Sequence, residues 1–168
     1  MSFADEVLET LQFPVDPDPW LFDPTAAEQL VQATGAQIVY GVNRPYYVHK
    51  LQYYVPGRSR IDCPLSQPDT IYMPHRERFN TLVEFYTILF HELAHWAEYR
   101  VGWGGCQTDS EIIADLTSGL LIKRTNVPNW LFQNRFLEFG YKPLKTISHY
   151  IEQATKVAGY LYDKQSRC

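Results

Sequence analysis

The sequence predicts an α+β fold, a single domain over residues 1–168 in which a small antiparallel sheet packs on one central helix, followed by a second helix and C-terminal helices. Three observations carry this. Residues 36–55 take on a two-residue, β-prone periodicity. The stretch Thr81 to Arg100 holds helical spacing throughout, and helical spacing returns after residue 110 and dominates the rest of the chain. A chain of 168 residues with 45% hydrophobic content is long enough for one sizeable core.

Taking the elements in order, Val7, Leu8 and Leu11 make a short amphipathic helical face. The chain then enters FPVDPDPWLFDP, whose four prolines forbid regular helix or central strand, so residues 1–23 read as a helix and a Pro-rich arm. Asp23 as N-cap, Pro24 at the first helical position and Gly35 past the end frame a helix from Pro24 to Thr34, with Ala26, Leu30 and Val31 facing inward. Ile38, Tyr40 and Val42 alternate as in a strand, and Pro45 to Val55, rich in tyrosine and valine, suggests a further strand or hairpin. Arg58 to Asp69 reads as a loop. Thr70 to Met73 is a short strand stopped by Pro74, expected beside the cleft formed by the next helix, where an extended peptide could add on.

That next helix is TLVEFYTILFHELAHWAEYR. Thr81 with Glu84 three residues on is a capping box, and Gly102 lies just beyond the last turn. Leu82, Phe85, Tyr86, Leu89, Leu93 and Trp96 form one apolar stripe. His91 and His95 lie on the opposite side with Glu84 and Ile88. Positions four apart share a helix face, so these two imidazoles can ligate one metal ion, with Glu92 on the rim of that face. The pattern His-Glu-x-x-His points to zinc. Two ordinary surface or core histidines would not require the glutamate between them.

After the helix, WGGCQTD reads as a turn, and SEIIADLTSGLLIK opens a helix from Ser110 to Arg124. Glu111, Asp115, Ser118 and Ile122 share a face, and Ala114 and Ser118 are small enough for close helix approach. Two histidines leave room for a third ligand and an open position. Glu111 is the first candidate, against a capping box with Thr108; Cys106 and Asp109 are alternatives. Asp115, one turn on, can accept the ring N–H of a ligand histidine, against the plain reading of a solvated acid. His49, His75 and His149 are isolated and read as structural or surface residues. Pro128 to Phe139 suggests a short aromatic helix ending at Gly140. Ile147, Tyr150, Ile151, Ala154, Val157, Ala158 and Leu161 make a final core helix.

Composition narrows the function classes. A formal charge of −4 supplies no excess of basic charge to neutralise phosphates, which argues against a large nucleic-acid footprint. Cys63, Cys106 and Cys168 are widely spaced and odd in number, which fits a reducing compartment rather than a disulfide framework. No signal peptide or membrane span is visible, so the expected location is cytoplasmic.

Several ordered blocks resemble a known family. GAQIVYGVNRPYY, DTIYMPHRERF, FYTILFHELAHW, SEIIADL and YIEQATKVAGYL are similar to the metallopeptidase-like C-terminal domain of ArdC-type antirestriction proteins, carried by conjugative plasmids and phages; the resemblance runs from about Ala33 to Tyr162. It implies a zincin-like fold, His91 and His95 as histidine ligands, Glu92 as general base and Glu111 as acidic ligand. It also implies a mobile-element setting and a host, phage or plasmid protein as target. Two departures limit it. The Pro-rich arm is too short for the family's N-terminal single-stranded-DNA-binding domain, so neither DNA binding nor antirestriction is carried over. Val48 to Pro68 looks longer than the family's usual link.

The expected function is a zinc-dependent hydrolase, a metallopeptidase in which Glu92 activates a zinc-bound water against a peptide or protein substrate. Tyr47, Tyr72, Arg44 and His75 are each chemically able to stabilise the oxyanion. The alternative is a non-catalytic, zinc-stabilised binding module with an antirestriction-like or regulatory role, which would have no use for Glu92. The oligomeric state is open.

Overall fold

A computed structural model describes residues 3–13, 22–49, 67–103, 106–133 and 143–166. In chain order the elements are α1 (Phe3–Leu11), α2 (Thr25–Thr34), β1 (Gln37–Tyr40), β2 (Tyr46–Val48), β3 (Thr70–Met73), α3 (Leu82–Glu98), α4 (Gln107–Thr125) and α5 (Ile147–Gln165). Most of the Pro-rich arm, the expected strand and loop over 50–66, and the Gly140 end of the aromatic segment lie outside the described residues. Residues 130–133 are helical.

The helix α2 begins one residue later than expected because Asp23 accepts from both the backbone N–H and the hydroxyl of Thr25, at 2.9 and 2.6 Å. Gly35 closes it with φ 65°, the left-handed conformation that glycine adopts without steric penalty. Its inward residues are Ala27 and Leu30, both fully buried, rather than Ala26.

The sheet is mixed, not antiparallel. Its order is β1-β3-β2, with β1 parallel to β3 and β2 antiparallel to it. Residues 41–45 reverse the chain between β1 and β2 as a hairpin would, but β3 inserts between the two strands. Thr70, Ile71, Tyr72 and Met73 are therefore all buried, as a central strand covered on both faces must be. With β3 paired on both sides, no peptide can add to it. Among the described residues the outer edges belong to β1 and β2.

One face of α3 packs on this sheet and another on α4. Phe85, Tyr86, Leu89, Leu93 and Trp96 are buried as the apolar stripe requires, and Val83, Phe90, Ala94 and Ala97 are buried as well. The covered surface is wider than one stripe because two layers clasp the helix. Close approach to α4 is secured by Ser118, whose hydroxyl donates to the Thr87 carbonyl at 3.0 Å. On the far side of α4, a Cβ on Gly119 would come within 2.7 Å of the Phe132 ring, so only glycine fits. Tyr150, Ala154, Val157, Ala158 and Leu161 bury the inner face of α5.

A polar clamp ties the sheet to the end of α3. The Arg100 guanidinium donates to both carboxylate oxygens of Asp69, at 2.8 and 2.7 Å, and lies 3.5 Å over the centre of the Trp96 ring. Tyr47 donates to Asp69 from β2 at 3.0 Å. Both of those bonds come from one guanidinium nitrogen, Nη2, while Nη1 donates to the Trp96 carbonyl at 2.6 Å, so the charge-assisted pair is tied to the helix backbone and fixed in direction. It sets where β2 lies relative to α3. No helix among the described residues is long and apolar enough to cross a membrane.

Candidate metal centre

The capping box holds the start of α3: the Thr81 hydroxyl accepts from the Glu84 N–H at 3.1 Å, and the Glu84 carboxylate accepts from the Asn80 N–H at 2.9 Å. The helix then runs unbroken through Glu98, and helical spacing stacks His91 and His95 on one side. Facing them, α4 starts at Gln107 with Cys106 as its N-cap, earlier than the Ser110 expected from sequence. Glu111 thereby sits a full turn inside the helix, where a capping role is no longer available to it. Its carboxylate instead meets the histidine pair.

Among the described residues, His91, His95 and Glu111 each offer a ligand atom, and these atoms lie within 4.8 Å of one another. The two Nε2 atoms are 3.0 Å apart. Glu111 Oε2 is 3.3 Å from His91 Nε2, and Oε1 is 3.7 Å from His95 Nε2. Two nitrogens each about 2.0–2.1 Å from a shared tetrahedral zinc would stand about 3.3–3.4 Å apart, so an opening of a few tenths of an ångström admits the ion. The donor set, neutral imidazoles with one carboxylate, suits zinc.

The outward ring nitrogens are held too. His91 Nδ1 lies 2.5 Å from Asp115 Oδ1, which fixes the tautomer with the proton on Nδ1 and turns the Nε2 lone pair toward the site. His95 has a support that the sequence reading missed. Its Nδ1 is 3.3 Å from the Ser110 hydroxyl and 3.6 Å from Glu98 Oε2, and Ser110 donates to that same oxygen at 2.5 Å. The signal was present, since Glu98 follows His95 by three positions and so shares its face. Glu98 is only 1% exposed, which makes it an unusual place for an acid without such a task. Glu92 is buried at 7% exposure, about 100° around the helix from His91.

The remaining candidates are employed elsewhere. Cys106 is exposed at the start of α4 and outside the convergent group. Asp109 is buried and accepts from the Tyr150 hydroxyl at 2.5 Å. His49 stacks on Tyr99, His75 lies against Gly41, and His149 lies between Trp103 and Tyr150. Of the residues considered for the oxyanion, Tyr47 donates to Asp69, Tyr72 accepts from the Gln67 N–H, and Arg44 is exposed. None of these, nor His75, bonds to the three convergent side chains.

Burial alone would push both histidines toward the neutral form, but the surrounding carboxylates outweigh it. Asp115 and Glu111 raise His91 to about 9, and Glu111 and Glu98 raise His95 to about 10. The same contacts, His91 first, hold the Glu111 carboxyl well below the usual carboxylate range. Metal ligation needs neutral imidazoles, and two Nε2 atoms 3.0 Å apart can share one proton but not hold two, so zinc binding at pH 7 is expected to release at least one proton and apparent affinity to rise with pH. Calorimetry in buffers of different ionisation enthalpy reads that count directly. Because both folded pKa values lie above 6.5, their contribution to the metal-free fold is complete below that pH and is lost as pH rises through 9 to 10. Metal-free melting temperature should fall across that window, and zinc-loaded protein should not follow it.

No curated protein and no solved structure matches the chain. Residues 25–103, which hold the whole sheet and the helix carrying His91, Glu92 and His95 and stop short of Glu111, match the model of the zincin-like metallopeptidase family.

Proposed function

We propose that the chain is a zinc-dependent metallopeptidase of the ArdC-like branch, with His91, His95 and Glu111 as ligands and Glu92 as the proton-transferring group. The observation that supports this best is the convergence of two Nε2 atoms and one carboxylate on one point beside a buried glutamate. Bound there, zinc would supply Lewis acidity toward a carbonyl and lower the pKa of water to near neutrality. Glu92 takes a proton from the attacking water and returns it to the leaving amine. Asp115 and the Ser110–Glu98 pair keep each imidazole in the tautomer that presents Nε2.

The strand that can receive an extended peptide is β2. Among the described residues it lies at a sheet edge, and Tyr47 and His49 both reach the ring of Tyr99 directly after α3. The uneven cysteine count and acidic balance favour a cytoplasmic protein target over nucleic acid. The mobile-element setting rests on the resemblance of the ordered blocks to ArdC-type proteins alone. New protein N-termini, mapped in cells expressing wild type and in cells expressing Glu92→Gln, test the reading. Termini that appear only with wild type are the expected result, and identical sets in the two strains would overturn it.

A further inference from the structure

The histidine face of α3 does not end at His95. Tyr99 follows it by four positions, about 6 Å further along the axis and turned by about 40°, which puts it between the directions of His95 and Glu92. It is 43% exposed, although two rings pack against it. His49 stacks on it with ring centroids 3.5 Å apart and planes 11° from parallel, and Tyr47 meets it at 6.0 Å and 43°. Both partners come from the β2 side. Tyr47 is held in turn by Asp69, which the Arg100 clamp fixes to the end of α3. The rings are therefore braced from behind, and Tyr99 stays 43% exposed one turn beyond His95. An aromatic left half open purely for packing would lose the benefit of burial.

We propose that Tyr99, with His49 stacked on it and Tyr47 behind, is a subsite for one aromatic side chain of the substrate. The inference rests on the peptidase reading and adds a side-chain preference to it. A peptide lying along β2 presents alternate side chains to α3, and successive same-side positions are about 6.8 Å apart. A side chain on that side is the one that the Tyr99 ring, in contact with Tyr47 and His49, would meet. Ring stacking and edge contacts select Phe, Tyr or Trp over small side chains.

A proteome-derived peptide library digested by the zinc-loaded protein should show Phe, Tyr or Trp enriched at one fixed position from the cleaved bond. Tyr99→Ala should erase that enrichment and lower kcat/KM by about tenfold on a peptide with Phe there, with little change for the Ala counterpart. Tyr99→Phe should restore it. Cleavage with no aromatic preference, or a preference that survives Tyr99→Ala, overturns the subsite and leaves the peptidase reading standing. If no peptide is cleaved, that reading fails, and equilibrium binding of the Phe and Ala peptides to zinc-loaded Glu92→Gln decides the subsite. Tighter binding of the Phe peptide that is lost in a Glu92→Gln/Tyr99→Ala double variant upholds it, and equal binding of the two peptides removes it.

Discussion

Glu92→Gln should keep its zinc, its helix and its melting temperature, and lose hydrolysis by roughly the upper end of the 10²- to 10⁴-fold range attributed to a positioned general base. Glutamine preserves the volume and hydrogen-bonding reach of a side chain that is 7% exposed, so the core around α3 has nothing to repack. What disappears is a carboxylate able to hold a proton between attack and departure of the amine. The same group serves both steps, which is why the larger effect is expected. Zinc content and thermal melting must be measured on the same preparation as the rate. A biological effect that persists undiminished in Glu92→Gln but vanishes in His91→Ala would mean that the metal holds a binding surface together, and that catalysis is not the role.

The second large effect concerns Glu111. Apparent zinc-site free energies of about 10–16 kcal/mol are shared among few ligands, so removal of one should weaken zinc by at least about 10²- to 10³-fold. Glu111→Ala and His95→Ala should therefore both lose stoichiometric zinc against a competing chelator. Asp115→Ala leaves all three ligands and loosens only the orientation of His91, so a drop of about 10- to 100-fold is expected. Glu111→Ala carries a further signature. The carboxylate that helps raise both histidines is gone, so the metal-free imidazoles hold their protons less tightly and fewer are released per zinc bound. Full zinc retention in Glu111→Ala would assign the third ligand elsewhere.

The helices and the candidate site were legible because their signals are local. A capping box, a 3.6-residue apolar period and a His-Glu-x-x-His spacing are all written within one or two turns, and α3 follows them closely. The support of His91 by Asp115 was readable because spacing along α4 follows directly from Glu111. The sheet was not legible in the same way. Nothing within Thr70–Met73 says whether its neighbours are one strand or two, and a five-residue link between β1 and β2 resembles a hairpin until β3 is seen between them. Glu98 stands beside His95 by spacing within α3, but the Ser110 half of that support crosses from α4 and depends on an interhelical distance that no single segment encodes. Tyr99 reads as an ordinary residue near a helix end until His49, just past β2, is found stacked on it.

All three candidate ligands and the acid behind His91 fall within the single hairpin of α3 and α4, whereas pairing β1 with β3 brings Gln37 to Thr70 and closes a longer stretch of chain. Loop-closure entropy rises with the length enclosed, so the hairpin has the lower barrier and the central strand is the later arrival. The metal site can then be assembled while the sheet beside it is still open. Zinc present during refolding would act on an early species and not only on the finished fold. In pulse-labelled hydrogen exchange with zinc present, amide protection should appear in α3 and α4 ahead of β1, and simultaneous protection of all three would contradict that order.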